Sequence, residues 1–267
     1  MINEVVYLRD EDKSVTLETY VATDIDHGKR SAVLVFPGGG YHMCAHHEGE
    51  KIALQYFAAG INAFVLKYSV KGNNPDMKYP MPQVDASNAM KYIKDNAERF
   101  NIDKDKVFVL GFSAGGHLAS TMGTIWHRPE IYENAQPMEY GYNKPCGMIL
   151  CYPVISYSDF GHKGSFYNLC GNGLPEEEYK KYSSELNVDD RTCPAFLWHT
   201  STDNAVPVEN SLVMGLALKK QGIQFEMHIY PEGNHGLGLP NENVTDIAKM
   251  HISEWMENSI KWVKSFK

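Results

Sequence analysis

Continuous apolar runs alternate along this chain with segments whose apolar residues recur at helical spacing. The apolar runs cover residues 32–36, 63–66, 107–110, 147–152 and 195–199. Residues 225–230 are also strand-like, and residues 16–21 alternate as a half-exposed antiparallel strand does. The helical segments cover residues 49–59, 83–99, about 208–221 and about 244–265. Strands that are apolar on both sides need cover on both faces, so this order predicts an α/β fold with a mostly parallel central sheet between helices.

One stretch breaks the alternation. Residues 153–192 contain glycines, many aromatic residues and the acidic run 176–178. A long irregular segment inside a compact domain usually has a function. We therefore expect a single domain over residues 1–267, with residues 153–192 as a cap or lid insertion.

The sequence Gly111-Phe112-Ser113-Ala114-Gly115 directly follows one of the apolar runs. It reads G-x-S-x-G at a predicted strand-to-helix junction, which is the pattern of a nucleophile elbow. In that turn the serine Oγ stands above the sheet edge, and the next backbone N–H is free to bind an oxyanion. The alternative is a glycine-flanked serine at an ordinary turn.

A serine hydroxyl needs a base to take its proton and a carboxylate to orient that base. Asp203 and His235 each follow a predicted strand downstream of Ser113, in the order serine, acid, histidine. Carboxyl ends of parallel strands meet at one edge of a sheet, so we expect the three side chains to converge there. The other candidates fit this position less well and are assigned structural roles: His117, His199, His228, His251, Asp189 and Asp190.

A glycine-rich segment, Pro37-Gly38-Gly39-Gly40-Tyr41, follows the first long apolar run. It occupies the place where lipases and esterases carry an HGGG-type oxyanion loop. We predict that the N–H groups of Gly39, Gly40 and Ala114 form the oxyanion hole. A phosphate-binding loop is the alternative, but the segment lacks both the G-x-G-x-x-G spacing and a Walker lysine.

The overall composition narrows the class of protein. The net charge is −8 and no basic run exceeds a pair, which argues against partners such as nucleic acid or an anionic membrane. Five widely spaced cysteines without a C-x-x-C pattern predict free thiols and no metal site. Neither a signal peptide nor an apolar stretch of membrane-spanning length is visible, so we expect a cytoplasmic protein.

With these motifs, the chain resembles the esterase/lipase branch of the α/β-hydrolase superfamily, near the bacterial acetyl-xylan-esterase-like and hormone-sensitive-lipase-like enzymes. Pro37 replaces the histidine of the HGGG motif, and Asn204 stands where relatives often carry a second aspartate. The segments that carry the resemblance are residues 33–41, 48–50, 63–68, 79–91, 109–119, 194–211 and 232–238.

The resemblance implies a cofactor-free serine esterase that acts on acetyl esters of small carbohydrates or on other small-molecule esters. The aromatic cap residues Tyr157, Phe160, Phe166 and Tyr167, with Tyr41, are candidates for the wall around the alcohol part, and packing inside the cap is the alternative for each. Three other functions stay open: a small-peptide hydrolase, an arylformamidase and a non-catalytic receptor of the same fold. The sequence leaves homo-oligomer formation open as well.

Overall fold

The computed structural model describes residues 1–9, 13–22, 28–239 and 251–266. Within these ranges the strands are β1 (Val5–Tyr7), β2 (Thr16–Tyr20), β3 (Arg30–Phe36), β4 (Asn62–Lys67), β5 (Ile102–Phe112), β6 (Met148–Cys151), β7 (Ala195–Thr200) and β8 (Phe225–Tyr230). They form one sheet in the order β1-β2-β4-β3-β5-β6-β7-β8. The pairs β1–β2 and β2–β4 are antiparallel, and the other pairs are parallel. The predicted fold class is therefore confirmed. The prediction missed β1, because three residues carry too little of a pattern.

The helices in the described ranges are α1 (Glu50–Ala58), α2 (Met81–Asp95), α3 (Ala114–Thr124), α4 (Pro129–Tyr132), α5 (Lys163–Cys170), α6 (Glu176–Lys180), α7 (Glu209–Gln221) and α8 (Glu254–Ser265). Short 3₁₀ turns cover His46–Glu48 and Ser184–Asn187. The predicted start of the last helix, near residue 244, lies outside the described residues. None of these helices is both long and apolar enough to cross a lipid bilayer.

Successive residues of the central strands point to opposite faces of the sheet. In β3, Leu34 and Phe36 pack into one apolar core, whereas Val33 and Val35 pack into the other. Residues of α2, α3 and α7 line the first core, and residues of α1 and α8 line the second. Two covered faces explain why the strands are apolar at every position instead of at alternate positions.

Residues 153–192 connect β6 to β7 and contain α5, α6 and the second 3₁₀ turn. Their own small apolar cluster is separate from the two cores beside the sheet, and it is formed by Val154, Tyr157, Phe166 and Tyr179 together with Val206. We keep the name cap for residues 153–192.

Candidate active site

Ser113 lies in the tight turn between β5 and α3. Its backbone has φ 53° and ψ −118°, a conformation that costs a residue with a side chain about 1–3 kcal/mol. The turn is closed enough that a Cβ on Gly111 would lie 1.9 Å from the carbonyl oxygen of Gly115, which only glycine avoids. The Ser113 N–H donates to Cys151 O at 3.0 Å, and Val154 N–H donates to Ser113 O at 3.0 Å. Residues at the end of β6 and just after it therefore hold the strained backbone of Ser113 in place.

Asp203 and His235 follow β7 and β8, as the positional argument expects. His235 Nδ1 lies 2.7 Å from Asp203 Oδ2, and His235 Nε2 lies 2.8 Å from Ser113 Oγ. An ionised Asp203 can only accept, so the Nδ1 proton faces it and Nε2 is left to accept from the serine hydroxyl. The structure thus brings the three predicted residues into one hydrogen-bonded chain.

The loops that carry the acid and the histidine are also tied to each other. Thr200 Oγ1 donates to Gly233 O at 2.8 Å, and Gly233 N–H donates to Thr202 Oγ1 at 2.9 Å. These contacts set the distance between the two loops independently of Asp203 and His235. The relative position of Asp203 and His235 is therefore fixed by contacts other than their own hydrogen bond.

The Asp203 carboxylate is buried and strongly held as an anion. Burial acts to raise its pKa, but hydrogen bonds from His199 and His235 and from the Val206 N–H outweigh it and hold the pKa of Asp203 well below its usual range. Asp203 Oδ1 accepts the N–H groups of Ala205 and Val206 at 3.0 and 2.9 Å. An anion that does not titrate near neutral pH is what an orienting carboxylate requires.

The glycine-rich loop lies against the serine, since a Cβ on Gly38 would be 3.0 Å from Ser113 Cβ. Four consecutive carbonyl oxygens of this loop accept hydrogen bonds from elsewhere: those of Pro37, Gly38, Gly39 and Gly40 bind, in order, the Tyr68 hydroxyl, the Ala45 N–H, the His42 and Met43 N–H groups and the Asn168 amide. Within the described part of the chain, the N–H groups of Gly39, Gly40 and Ala114 donate to no protein acceptor. A loop with its carbonyls engaged and its N–H groups free can bind an anion.

The aromatic residues predicted to surround the substrate are mostly buried. Tyr41 is fully buried, and its hydroxyl lies 2.8 Å from His117 Nδ1. Tyr157 and Phe166 pack in the cap cluster, where Tyr157 also lies 3.5 Å from the Tyr167 hydroxyl. This placement favours packing for Tyr41, Tyr157 and Phe166. The half-buried Tyr167 and Phe160 keep part of their surface accessible.

Of the six histidines and aspartates that the sequence assigned to structural roles, only His199 has a side chain in contact with the Ser113–His235–Asp203 chain. The fully buried His199 ring has Nε2 at 2.8 Å from Val206 O and at 3.4 Å from Asp203 Oδ2, so it helps to hold the acid. The fully buried His117 bridges Tyr41 and the Tyr182 carbonyl, and Asp189 pairs with Arg191. Among the described residues, no group of three or more histidine, cysteine, aspartate or glutamate side chains is arranged to hold a metal ion.

Sequence reasoning missed several residues that contact the glycine-rich loop, among them Asn168 and Glu48. Asn168 of α5 donates to Gly40 O at 2.8 Å and joins the cap to the loop. The buried Glu48 accepts the Gly38 N–H at 2.8 Å. Asn168 had no signal in the sequence, because its partner is 128 residues away. Glu48 lay in a segment that carries the family resemblance, but nothing in the pattern showed that its charge is buried.

Comparison with known proteins places this site in a family. A model of the BD-FAE family matches residues 17–218. The chain is 38% identical over 217 residues to an endo-1,4-beta-xylanase B of Butyrivibrio fibrisolvens, covering 81% of this chain and 34% of that protein. It is 33% identical over 218 residues to an acetylxylan esterase of Xylanibacter ruminicola, covering 78% of this chain and 41% of that protein. The chain thus spans only about a third to two fifths of the length of these relatives.

Solved structures extend the likeness over nearly the whole chain. An acetyl ester-xyloside bifunctional hydrolase from Caldicellulosiruptor lactoaceticus superimposes with a TM-score of 0.85 and 38% identity, over 98% of this chain and 96% of that one. A carboxylesterase from Lactobacillus plantarum superimposes with a TM-score of 0.83 at 23% identity, over 99% of this chain and 98% of that one, and shares the fold. The elbow serine, its hydrogen-bonded histidine and aspartate, and the family match over most of the chain lead to one assignment: this chain belongs to the BD-FAE family and has the α/β-hydrolase fold.

Proposed function

We propose that this protein is a serine esterase that hydrolyses short-chain acyl esters, acetyl esters above all, with Ser113, His235 and Asp203 as its catalytic triad. The observation that carries the proposal is the hydrogen-bonded chain from Ser113 Oγ through His235 to Asp203, at 2.8 and 2.7 Å. The esterase names of several relatives support the same class of reaction.

The reaction proceeds in two steps. Ser113 Oγ attacks the ester carbonyl carbon while His235 Nε2 takes the hydroxyl proton, and the same nitrogen then returns that proton to the departing alcohol. Water next attacks the acyl-enzyme, with His235 again as the base, and releases the carboxylic acid and Ser113. Asp203 keeps the imidazole in the required tautomer and stabilises the imidazolium that forms in each step.

The tetrahedral intermediate carries a negative oxygen that needs hydrogen-bond donors. The free N–H groups of Gly39, Gly40 and Ala114 are the proposed donors. Because the loop carbonyls are already engaged, these N–H groups do not have to reorganise when charge develops. Removal of one such donor in serine hydrolases costs roughly 10²–10³ in kcat.

The proposed substrate is an acetyl ester of a small carbohydrate or a similar small molecule. Two of the relatives are named as acting on acetyl esters, one of them an acetylxylan esterase. The cap contains two short helices, α5 and α6, and a 3₁₀ turn, and Asn168 of α5 donates a hydrogen bond to the glycine-rich loop 37–41, which is the proposed oxyanion loop. A cap held this closely favours a short acyl group over a fatty-acyl chain.

A series of p-nitrophenyl esters from acetyl to octanoyl tests the acyl preference. Each CH₂ buried in an apolar channel would add about 0.8 kcal/mol, so an open channel should improve kcat/KM steadily with length. We expect a maximum at acetyl or propionyl and a steep fall by hexanoyl. A maximum at octanoyl would contradict the acetyl-esterase proposal and favour a lipase.

Peracetylated sugars and acetylated xylo-oligosaccharides, assayed beside the same series, test the alcohol part. Ser113→Ala is the control for every substrate, because any hydrolysis that remains in this variant does not depend on Ser113. Acetate release from the sugars above this background is the expected result. Activity on aryl formamides or on small peptides, with no activity on acetyl esters, would instead favour an arylformamidase or a small-peptide hydrolase.

A further inference from the structure

Glu48 places a negative charge inside the protein beside the candidate active site. Only 2% of the residue is exposed, at the end of the 3₁₀ turn that precedes α1. Its Oε2 accepts the Gly38 N–H at 2.8 Å, and its Oε1 accepts the Tyr152 hydroxyl at 2.5 Å. The nearest basic side chain among the described residues is the exposed His47 ring, whose Nε2 lies 3.8 Å from Oε1. A buried carboxylate without a close cation is costly unless its hydrogen bonds do something that a neutral residue cannot.

Tyr152 connects Glu48 to the loop after β8 that carries His235, which we call the histidine loop. It follows β6 with φ 36°, and its hydroxyl accepts the Gly238 N–H at 2.9 Å. Its ring packs edge-to-face on His235, with the ring centroids 5.0 Å apart. Burial and the Glu48 carboxylate raise the pKa of Tyr152 well above its usual value, so its hydroxyl stays protonated and continues to donate.

The topology explains why such a link is needed. The oxyanion loop follows β3 and the histidine loop follows β8, and three strands of the sheet lie between them. Backbone pairing between neighbouring strands therefore cannot set the distance between the two loops directly. The contacts Gly38–Glu48–Tyr152–Gly238 cross that gap in the interior, and a contact at 3.0 Å between His47 Nε2 and Gly236 O crosses it at the surface.

We propose that Glu48 is a positioning residue, whose carboxylate holds the oxyanion loop through Gly38 and the histidine loop through Tyr152 at the separation that catalysis needs. The proposal rests on the proposed esterase function. Glu48 does not touch the substrate in this account. It acts on the rate through the two loops that do.

Glu48→Gln is the direct test, because it keeps the shape and removes the second acceptor. A glutamine can accept the Gly38 N–H, but its NH₂ group then faces a tyrosine hydroxyl that already accepts from Gly238. We expect kcat to fall about 10- to 100-fold while KM changes less than about 3-fold, because the lost contacts matter most when the oxyanion forms.

Tyr152→Phe removes the other half of the link, and Tyr56→Phe is its matched control. Tyr56 is a fully buried tyrosine of the same core, and its hydroxyl bonds to Ser259 Oγ at 2.7 Å, away from both loops. We expect Tyr152→Phe to reproduce the loss of kcat and Tyr56→Phe to lower only Tm. The double variant Glu48→Gln/Tyr152→Phe should lose little more than either single variant, because both break one chain of contacts.

Two measurements distinguish an effect of Glu48 on loop position from an effect on folding, and neither depends on which ester is the natural substrate. A fluorophosphonate labels an activated Ser113 without any knowledge of the natural ester, and a small boronic acid forms a tetrahedral adduct that uses the oxyanion hole. In samples shown to be folded, labelling rate and boronate affinity should fall in parallel with kcat. If the wild type does not hydrolyse acetyl esters, the proposed function is overturned and the positioning proposal is not.

Normal labelling and boronate binding in both Glu48→Gln and Tyr152→Phe would overturn the positioning proposal. Equal losses of labelling rate and boronate affinity in Tyr56→Phe would overturn it as well. Should Glu48→Gln fail to fold, Tyr152→Phe with its control decides the question.

Discussion

The carboxyl edge of the sheet and the cap differ in the kind of contact that stabilises each of them. At the edge, backbone groups and buried charges predominate: Asp203 accepts two N–H groups, Glu48 accepts a third, and Ser113 is strained between β5 and α3. The cap has hydrogen bonds of its own, such as the one from Tyr157 N–H to Ser183 Oγ, but its apolar cluster is mainly aromatic, with the Tyr157 and Tyr179 rings stacked at a centroid distance of 4.6 Å. Directional hydrogen bonds fix positions closely, whereas aromatic packing tolerates shifts. We therefore propose that, in an esterase of this kind, the edge sets the chemistry and the cap selects the ester.

Hydrogen bonds join the two regions at several points, one of them from Val154 N–H of the cap to Ser113 O. Asn168 of the cap donates to Gly40 O, and the His117 ring lies between the Tyr41 hydroxyl and the Tyr182 carbonyl. These two residues allow the comparison to be tested from the cap side. Ser113 and Asp203 allow it to be tested from the edge.

The largest effect is expected at Ser113. Ser113→Ala should reduce kcat by about 10⁶-fold, because the substitution removes the oxygen that is proposed to attack the ester carbonyl. The far-UV spectrum and Tm should stay close to those of the wild type, since alanine keeps the same backbone strain. Assays with p-nitrophenyl acetate and mass spectrometry of the fluorophosphonate adduct measure both points. Labelling at a second residue, or substantial turnover without the serine, would show that the edge does not carry the chemistry.

A loss on the order of 10⁴ in kcat is expected for Asp203→Asn, because the amide favours the wrong tautomer of His235. Asp189→Asn is the control, since Asp189 is an aspartate paired with Arg191 before β7. The pKa of Asp203 lies well below its usual range, so this group stays ionised above about pH 4. Any fall of wild-type activity between pH 7 and pH 4 must therefore come from another group. Equal losses in the two variants would mean that the acid is elsewhere.

His117, between the edge and the cap, should make stability depend on pH. Burial lowers its pKa to about 4, against about 6.5 in an unfolded chain. The unfolded state therefore binds the extra proton first as pH falls, so the contribution is complete above about pH 6.5 and is lost towards pH 4, by about 3 kcal/mol. Urea unfolding at pH 7.5 and 4.5 should show a smaller drop in His117→Gln than in the wild type. The same drop in both proteins would assign the effect to other groups.

The smallest effect is expected at the cap contact. Asn168→Ala removes the bond to Gly40 O but leaves the other loop carbonyls engaged, so we expect about a 10-fold loss of kcat/KM, in line with the roughly 1.4 kcal/mol that one hydrogen bond contributes. Asn172→Ala, at an exposed position of the cap, is the control. The ratio of acetyl to hexanoyl activity should also narrow in Asn168→Ala. A 10³-fold loss would mean that the cap belongs to the catalytic machinery and that the two regions are not distinct.

Much of the fold could be predicted from the pattern of apolar residues. The runs at 32–36 and 195–199 correspond to β3 and β7, because a strand buried on both faces leaves a continuous signal. The edge strand β1, the four-residue α4 and the two helices α5 and α6 of the segment expected to be irregular were missed, since such short elements have little periodicity of their own. The ends of α2 were predicted to within a few residues, as is usual where a helix runs into turns.

The sequence by itself determined the α/β order, the strained turn at Ser113 and the candidates Asp203 and His235, because each depends on local pattern and on position after a strand. Only the tertiary structure decided which groups meet. It buried Tyr41 against His117, placed Asn168 on the glycine-rich loop and joined Glu48 to Tyr152 across 104 residues. Contacts of this kind depend on how distant segments pack, and a buried charge looks the same as an exposed one in the sequence. Local periodicity encodes the elements, whereas the separation between the glycine-rich loop after β3 and the His235 loop after β8 is a property of the folded chain alone.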